Sequence, residues 1–561
     1  MRRLHWAILA FSVVLFAILF FSFRDSTLDP IIDTGRDLYA GEQIAAGHQL
    51  YRDIVYNYPP AAPLILALIV VLFGGGLATF QVLGALVALI TAATLYVIGR
   101  TSAGPITGAI AALLFIALSF TGASTWGANY IFPYAYAATI GMAFSLLFLH
   151  SLLRYLFVAP QRKWLALAIL FATLATWSKI EYALLVGATL VFATLYYRLP
   201  LRALLTYAAL IVCTMIVFSA SFGSGPFDIS WIRDQILSSS LLHGTSSEFF
   251  YAQVSGTASA RASIAVAMKG VILVSIIVVL IRHAGHDRAG SGGVPESPLL
   301  AQLLLAAIVA ASWFLAGEPL FRAWAILQLL LIPVALFRGR GSPFALLLVF
   351  SLLSTARIVL RTSPVWYGFV LAVPLYVLMA YLFFHELPRR KIYRHPWTCL
   401  WAPVIVLTLY FGLAQQFSRY SAKAFPIVTP RGTFLDSNSD RASVLTSVIG
   451  YLATHRGNGL VVFPEGVSIN YFSAIPSPLS RYIFTPIETA APGVETEILS
   501  QMRVRPPEYV IVLHRDVSEF GSRGFGVDYD LEIRDFLSER YHVEQAWLPS
   551  RFSLVLLRRN G

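Results

Sequence analysis

The feature that most constrains this chain is a series of long apolar blocks that contain few charges. Most are about 17–22 residues long, which lets a helix cross a hydrocarbon core roughly 30 Å thick. Hydrophobic residues make up 57% of the chain and charged residues 12%, whereas soluble domains carry about 25% charged residues. The blocks lie near residues 4–23, 80–99, 104–121, 132–153, 163–177, 180–197, 203–222, 263–281, 299–316, 322–337, 342–360, 364–384 and 398–416. We therefore predict a polytopic α-helical membrane protein with about thirteen transmembrane helices.

Charge and cysteine content exclude other classes. The net charge of +12 arises from arginines in the turns between apolar blocks, where such residues set membrane orientation, so we predict no nucleic-acid partner. Cys213 and Cys399 sit inside apolar blocks without metal-ligand spacing, and a disulfide framework is not expected. The first block is too long for a typical signal peptide and lacks a small-residue cleavage site. We interpret it as a retained membrane anchor.

Basic residues in alternate turns predict the orientation of the chain. If Arg2 and Arg3 are cytoplasmic, every second turn places its basic cluster on the same side, as the positive-inside rule requires. These clusters are Arg100; Arg154, Arg162 and Lys163; Arg198 and Arg202; Arg282 and Arg288; Arg338 and Arg340; and Arg389, Arg390, Lys391 and Arg394. We expect a multi-pass protein of a bacterial inner (plasma) membrane, in contact with its lipids. Its N-terminus is then cytoplasmic, and everything after Gln416 lies outside.

Two long outer loops and a tail of different composition complete the chain. The loops cover residues 24–79 and 223–262, and the apolar segment 60–73 in the first loop is too short to span and is expected as an interfacial or packed helix. In the tail, short apolar runs at 459–464, 508–513 and 552–557 alternate with helical patterns at 442–455 and 530–541. This alternation predicts a small extracytoplasmic α/β domain over residues 430–561. It lacks a nucleotide-binding signature.

Charged residues are concentrated in the first outer loop. Asp33 and Arg36 have helical i, i+3 spacing and could share one face. A carboxylate beside an arginine stays ionised and well oriented, which suits a base that accepts a proton from a hydroxyl. Arg52, Asp53 and Tyr58 follow in the same loop. The alternative interpretation is that these residues form ordinary surface ion pairs and an interfacial aromatic belt.

Several short motifs occur in a characteristic order. Asp33 follows the first spanning helix, and a Tyr-Arg-Asp triplet at 51–53 precedes Tyr58-Pro59-Pro60, which leads into an apolar helix ending in Leu-Phe-Gly. The tail contributes Pro-Glu-Gly at 464–466 and Ile-Asn-Tyr at 469–471. Together with the many-helix body, these motifs resemble the GT-C superfamily of glycosyltransferases. The closest likeness is to the branch of protein O-mannosyltransferases and the aminoarabinose transferase of lipid A.

The resemblance implies that residues 1–416 form a transmembrane glycosyltransferase domain. Such enzymes transfer a sugar, here a hexose or a related sugar, from a polyprenyl-phosphate donor to a hydroxyl of a lipid, glycan or protein acceptor. They work at the outer face of the membrane and usually invert the anomeric centre. By position, Asp33 matches their catalytic base, although many relatives carry Asp-Glu where this chain has Asp33-Thr34. The acid that some relatives carry in the second outer loop is missing at 121–130, and Asp53 or Glu181 are the candidates to replace it.

A lipid-phosphate leaving group needs cations near the membrane surface. Arg357 and Arg361 lie at i, i+4 spacing at the predicted outer end of one helix, where arginine is unexpected. Their guanidinium groups suit phosphate. Further candidates for substrate contact are Arg36, Arg52, Lys179, Glu181 and Arg322, with Tyr58 as a stacking partner. The alternatives are snorkelling to lipid headgroups, or pairing of Lys179 with Glu181. No group of residues has convincing metal-ligand spacing, so no cofactor is firmly predicted; a divalent metal ion stays open but has no support in the sequence.

Other functions stay open at this point. A membrane transporter or flippase would also have many helices, but such proteins often show internal repeats, and none is evident here. A polysaccharide polymerase or ligase of the cell envelope would share the lipid-phosphate substrate without needing the Asp33 arrangement. Glu465 is far from the first loop in sequence and is interpreted as structural.

Overall fold

The computed structural model describes residues 2–122, 127–237, 245–286, 319–387, 398–489 and 491–561. The predicted apolar block at 299–316, Arg288 and the basic cluster at 389–394 lie outside these ranges.

Within the described ranges, helices lie in the predicted apolar blocks and also in the two predicted outer loops. They are α1 (Arg2–Phe23), α2 (Thr34–Ala45), α3 (Ala61–Phe73), α4 (Leu77–Ala103), α5 (Pro105–Phe115), α6 (Tyr136–Leu153), α7 (Arg162–Thr176), α8 (Ile180–Tyr197), α9 (Leu201–Phe222), α10 (Thr245–Ser255), α11 (Ala260–His286), α12 (Pro319–Phe337), α13 (Phe344–Thr355), α14 (Val373–Tyr381) and α15 (Thr398–Ser421). The helices in the two predicted outer loops are α2, α3 and α10. Large apolar side chains such as Val13, Leu195 and Val217 point outward and are exposed. A soluble protein rarely exposes so much apolar surface.

Six of the described helices are long and apolar enough to cross a membrane. They are Arg3–Ser26, Leu77–Ala103, Tyr136–Val158, Ile180–Tyr197, Leu201–Phe222 and Thr257–Ile276. Shorter apolar helices are Ala61–Phe73, Pro105–Phe120, Phe321–Phe337, Phe344–Ile358 and Val373–Glu386. The described part is therefore a polytopic helical membrane protein, and the count of about thirteen spans stays a prediction.

The predicted span at 364–384 is not one continuous helix. Only a short helix, Gly368–Leu371, precedes α14, and Trp366 has a φ of 52°. Two prolines explain the break, because Pro364 and Pro374 each disfavour helical backbone in the residue before them and cannot donate a backbone hydrogen bond. The resulting irregular segment, residues 356–372, carries Arg357, Arg361 and Tyr367.

The segment predicted as the first outer loop is largely helical. It contains α2 and α3, which pack on each other, and α2 also packs against the short helix Ser468–Ser473 of the C-terminal part. The charged start of α2 is thereby held between the helix bundle and the tail.

The tail forms the predicted sheet, with additions. Strands β3 (Leu460–Phe463), β4 (Tyr509–Leu513) and β6 (Leu554–Arg559) and helices α16 (Ser439–Thr454) and α18 (Leu531–Arg540) match the sequence patterns. The hairpin of β1 (Phe425–Thr429) and β2 (Gly432–Asp436), strand β5 (Tyr541–Trp547) and helix α17 (Val494–Val504) were not predicted. The predicted boundary at 430 falls in the hairpin turn.

The four-stranded sheet has the order β3-β4-β6-β5, with β3 and β4 parallel and the other pairs antiparallel. Side chains alternate between its faces. Leu460, Val462 and Ile511 belong to the same apolar core as the helix bundle, whereas Val461 and Phe463 pack on the other face, against α17 and α18. Shared burial on one face therefore joins the tail to the membrane part.

Close helix packing gives a stability prediction. A Cβ atom added at Gly84 of α4 would overlap the carbonyl oxygens of Tyr130 and Ile131, whereas one added at Gly187 of α8 would meet nothing closer than 4.0 Å. We expect Gly84→Ala to destabilise the protein by about 1–3 kcal/mol through overpacking. Gly187→Ala is the matched control and should be neutral or slightly stabilising. Thermal unfolding in detergent measures both, and equal midpoints would contradict the packing described here.

Candidate active site

A cavity of about 270 Å³ opens where the helix bundle meets the tail domain. Its walls come from the start of α2, the segment before α3, α10, the irregular segment after α13, and the tail domain. The lining includes four carboxylates, two guanidinium groups and many aromatic rings: Asp33, Glu465, Glu488, Glu519, Arg36, Arg515, Tyr58, Tyr134, Phe250, Tyr251, Trp366, Tyr367 and Phe520. A partly apolar lining with a few converging charged groups is typical of a small-molecule site.

Asp33 occupies a strained backbone position at the edge of this cavity. Its φ and ψ are 56° and −60°, and the amide of Thr34 donates to the carbonyl oxygen of Ile32 at 2.6 Å across it. This is the rare, strained form of the γ-turn. Its own amide donates to Glu465 Oε1 at 3.1 Å, and 32% of the Asp33 side chain remains exposed. Strained residues of this kind cluster at functional sites.

The next residues of α2 anchor this turn. Arg36 Nη1 lies 3.7 Å from the Asp33 carboxylate, and its Nη2 donates to the carbonyl oxygen of Tyr134 at 2.8 Å. Asp37 is fully buried and accepts hydrogen bonds from the Tyr56 hydroxyl at 2.8 Å and the Tyr136 amide at 2.5 Å. The first turn of α2 is thus fixed, and Asp33 is left facing the cavity.

Burial makes the Asp33 carboxylate more basic. Desolvation raises its pKa from the ordinary value, the positive charge of Arg36 opposes that rise, and the negative charge of Glu519 adds to it. Desolvation also raises the pKa of Glu465, against the opposing effect of Arg515. A carboxylate that titrates closer to neutrality is a better proton acceptor than a surface aspartate.

A second charged cluster lies close to the cavity. Lys179 Nζ is 2.9 Å from Glu181 Oε1, and Arg357 Nη1 is 2.5 Å from Glu181 Oε2. Two cations therefore share one carboxylate, which leaves a net positive charge of one on the three groups. In a site partly shielded from water such a charge acts more strongly than at the surface.

Tyrosines separate this cluster from the cavity. Lys179 Nζ donates to the hydroxyl of Tyr134 at 2.7 Å. The guanidinium of Arg357 lies over the rings of Tyr251 and Tyr367, at 4.8 and 5.1 Å from their centroids. All three tyrosines line the cavity, whereas Lys179 and Arg357 are not among its lining residues.

The other sequence-predicted residues divide into two groups. Tyr58 lines the cavity. Its ring centroid lies 4.9 Å from the guanidinium of Arg36 and 5.2 Å from Nζ of Lys179. The guanidinium of Arg361 lies 4.1 Å from the ring centroid of Trp366, which lines the cavity, but Arg361 itself is not among the lining residues.

The structure does not bring Arg52, Asp53 and Arg322 together with Asp33. Arg52 Nε pairs with the neighbouring Asp53 at 3.1 Å, and the Arg52 side chain is 69% exposed. Arg322 lies in the first turn of α12, and none of the three is among the residues that line the cavity. Glu181, the other candidate for a second acid, is engaged by Lys179 and Arg357.

The tail domain supplies charged groups that the sequence analysis missed. Glu465 is buried and approaches Asp33 across a sequence separation of 432 residues. Arg515 Nε donates to Glu465 Oε2 at 3.1 Å, and its Nη2 donates to Glu519 Oε1 at 2.5 Å. Glu488 accepts from Asn57 Nδ2 at 2.7 Å. The usable signal was the position of Glu465 directly after a buried strand.

Among the described residues, no three His, Cys, Asp or Glu side chains are grouped so that they could hold a metal ion. Three of the cavity carboxylates, Glu465, Glu488 and Glu519, instead accept hydrogen bonds from Arg515, from Asn57 and from a backbone amide. The described geometry therefore assigns no metal ligand set.

Comparison with known proteins extends these observations. No protein-family model matches the chain, and no curated protein sequence does. The archaeal oligosaccharyltransferase AglB from Archaeoglobus fulgidus, in complex with an inhibitory peptide and a dolichol-phosphate, is similar over 91% of this chain and 69% of its own, with a TM-score of 0.50 and 11% identity. ArnT from Cupriavidus metallidurans bound to undecaprenyl phosphate is similar over 98% of this chain and 97% of its own, with a TM-score of 0.46 and 13% identity.

At 11% identity, the similarity to AglB over 91% of this chain shows a common fold. With its helix bundle, its helical segment after α1 and its C-terminal sheet domain, the chain has the same overall fold as the archaeal oligosaccharyltransferase AglB.

Proposed function

We propose that the protein is a glycosyltransferase that moves a hexose or related sugar from a polyprenyl-phosphate donor to an acceptor hydroxyl. The observation that carries this proposal is the Asp33 carboxylate. It is exposed in a cavity of aromatic and charged side chains, made more basic by burial, and flanked by a cluster with net positive charge. The fold agrees with this proposal, since the structure of AglB holds a lipid phosphate.

In the proposed reaction Asp33 accepts the proton of the acceptor hydroxyl. The acceptor oxygen forms a bond to the anomeric carbon while the bond from that carbon to the phosphate oxygen breaks. The lipid phosphate leaves with the electron pair, and attack from the opposite face inverts the anomeric centre. A positioned base of this kind contributes roughly 10²–10⁴-fold to the rate.

The cluster of Lys179, Glu181 and Arg357 suits the leaving phosphate. Its net positive charge would stabilise the negative charge that develops as the glycosidic bond breaks. Tyr134 accepts a hydrogen bond from Lys179, so its own hydroxyl proton is free to point into the cavity. Lys179 would therefore act on the phosphate through the hydroxyl of Tyr134, and the net positive charge of the cluster would also attract the phosphate directly.

The acceptor would reach Asp33 past the tail domain. Glu488, Arg515 and Phe520 of that domain line the cavity, so this domain contacts any molecule that fills it. The proposed acceptor is a hydroxyl of a lipid, a glycan or a protein.

Asp33→Asn tests the base. The variant keeps the size of the side chain but cannot accept the proton, and we expect transfer to fall by at least about 10²-fold. Wild-type activity should also decline as the pH falls through the raised pKa of Asp33, since protonation removes the base. This limb should lie above roughly pH 4, the ordinary aspartate value. Transfer is measured with purified protein and a polyprenyl-phosphate sugar.

Asp535→Asn provides the matched control for this loss. Asp535 pairs with Arg534 on the exposed face of α18, and its side chain is 63% exposed, so full activity is expected. Undiminished transfer by Asp33→Asn would remove Asp33 from the base role.

Arg357→Ala tests the donor site. Removing one of the two cations leaves Lys179 and Glu181 with no net charge, so donor binding and leaving-group stabilisation should both weaken. We expect kcat/KM for the donor to fall by about 10²-fold, as for the loss of one oxyanion donor. Arg233→Ala, an exposed arginine of the second outer loop paired with Asp234, should change little. An unaltered donor kcat/KM in the folded Arg357→Ala protein would refute the assignment.

We further propose that the cavity faces the outside of a bacterial inner membrane, with the N-terminus in the cytoplasm. The supporting pattern is the alternation of basic turns along the chain. Ser437 lies in the tail domain and is exposed. A Ser437→Cys protein in spheroplasts should react with a membrane-impermeant maleimide before lysis, and the wild-type protein is the background control for Cys213 and Cys399. Labelling of Ser437→Cys only after lysis would reverse the orientation.

A further inference from the structure

We propose that Glu465 of the tail domain is a positioning residue for the catalytic aspartate, so that the active site is complete only when the tail domain is docked. This inference rests on the proposed function of Asp33. It assigns the tail domain a part in the chemistry rather than in acceptor contact alone.

The two oxygens of the Glu465 carboxylate are used for different purposes. Oε1 accepts a hydrogen bond from the backbone amide of Asp33 at 3.1 Å, and Oε2 accepts one from Arg515 Nε at 3.1 Å. Glu465 is only 5% exposed, so its orientation is set by these two partners. Arg515 is itself held by Glu519. The tail domain thus presents a fixed acceptor to one backbone N–H of the membrane part.

That N–H belongs to Asp33, whose backbone is strained. Such a conformation is unfavourable and persists where the surroundings fix it. The hydrogen bond to Glu465 fixes the plane of the peptide between Ile32 and Asp33, and so the direction in which the Asp33 side chain leaves the backbone. Without it, the turn is free to relax towards ordinary backbone angles, and the carboxylate turns away from the cavity.

The surrounding contact is close enough to transmit this constraint. Gly35 lies directly against the tail, and a Cβ atom there would be 2.5 Å from the backbone nitrogen of Ser468. The Ser468 hydroxyl donates to the carbonyl oxygen of Pro30. Residues 464–468 of the tail domain therefore contact residues 30–35 on both sides of Asp33.

The simpler alternative is that Glu465 merely stabilises the domain contact. The two roles predict different kinetics. A positioning residue affects the chemical step, since a displacement of about 1 Å in a catalytic group can cost about 10²-fold. Loss of domain contact would instead lower the fraction of folded protein and disturb donor and acceptor binding together.

The test compares four proteins. Glu465→Ala removes the acceptor. The double variant Glu465→Gln with Arg515→Gln retains an oxygen at position 465 that can accept the Asp33 amide. The new NH₂ group at position 465 then donates to the new side-chain oxygen at position 515, so both amides have partners. Glu508→Gln, which alters a glutamate paired with Arg558 at 3.5 Å elsewhere in the same domain, is the matched control. The wild type is the reference.

We expect Glu465→Ala to lower kcat by about 10–100-fold while the donor KM stays within about threefold. The double variant should recover most of the lost kcat, and Glu508→Gln should match the wild type. Hydrogen–deuterium exchange should show faster exchange in residues 30–36 of Glu465→Ala, with the strands of the tail domain protected as in the wild type. Full kcat in Glu465→Ala, or faster exchange throughout the tail domain with donor KM and kcat both impaired, would overturn the proposal.

Failure of the proposed function gives a different result. A wild-type protein that transfers no sugar from any polyprenyl-phosphate donor would refute glycosyl transfer. The exchange measurement needs no turnover, and it would still decide the inference. Unchanged exchange of residues 30–36 in Glu465→Ala would then refute a positioning role for Glu465.

Discussion

Charge that is withdrawn from water needs a partner within the protein, and this requirement organises the region where the helix bundle meets the tail domain. Arg36, Asp37, Lys179 and Glu465 are each almost completely buried, and an isolated buried charge is unfavourable by several kcal/mol. Each is compensated by an opposite charge, a tyrosine or a backbone group. Asp33 differs, because its carboxylate retains access to the cavity. The surrounding ion pairs and hydrogen bonds engage its charged neighbours and leave the Asp33 carboxylate accessible from the cavity.

Features that depend on local sequence could be predicted. The helices follow the apolar blocks because length and hydropathy decide whether a segment can span a bilayer, and β3, β4 and β6 follow short apolar runs between turn residues. The errors have local causes too. The span at 364–384 contains two prolines that interrupt its helix, and β5 has few buried residues to mark it as a strand.

The candidate site was predictable only in part. Asp33 and Arg36 were identified by type and spacing, and the structure places both at the cavity. Their contact with Glu465 depends on the docking of two segments separated by over four hundred residues, which no local pattern encodes. Arg357 also differs from expectation, since its guanidinium lies behind Tyr251 and Tyr367 rather than bare in the cavity. The faces of these rings attract the guanidinium and hold it in place beside the cavity.

The contact at Gly35 has a consequence for how such proteins can diverge. Because the backbone of Ser468 occupies the space where a side chain would begin, the first turn of α2 and the turn after β3 form one matched surface. The tail is therefore not an interchangeable module. A chimera that joins this membrane part to the tail of a distant homologue would need both turns inherited together, and lineages that alter one turn must alter the other in step.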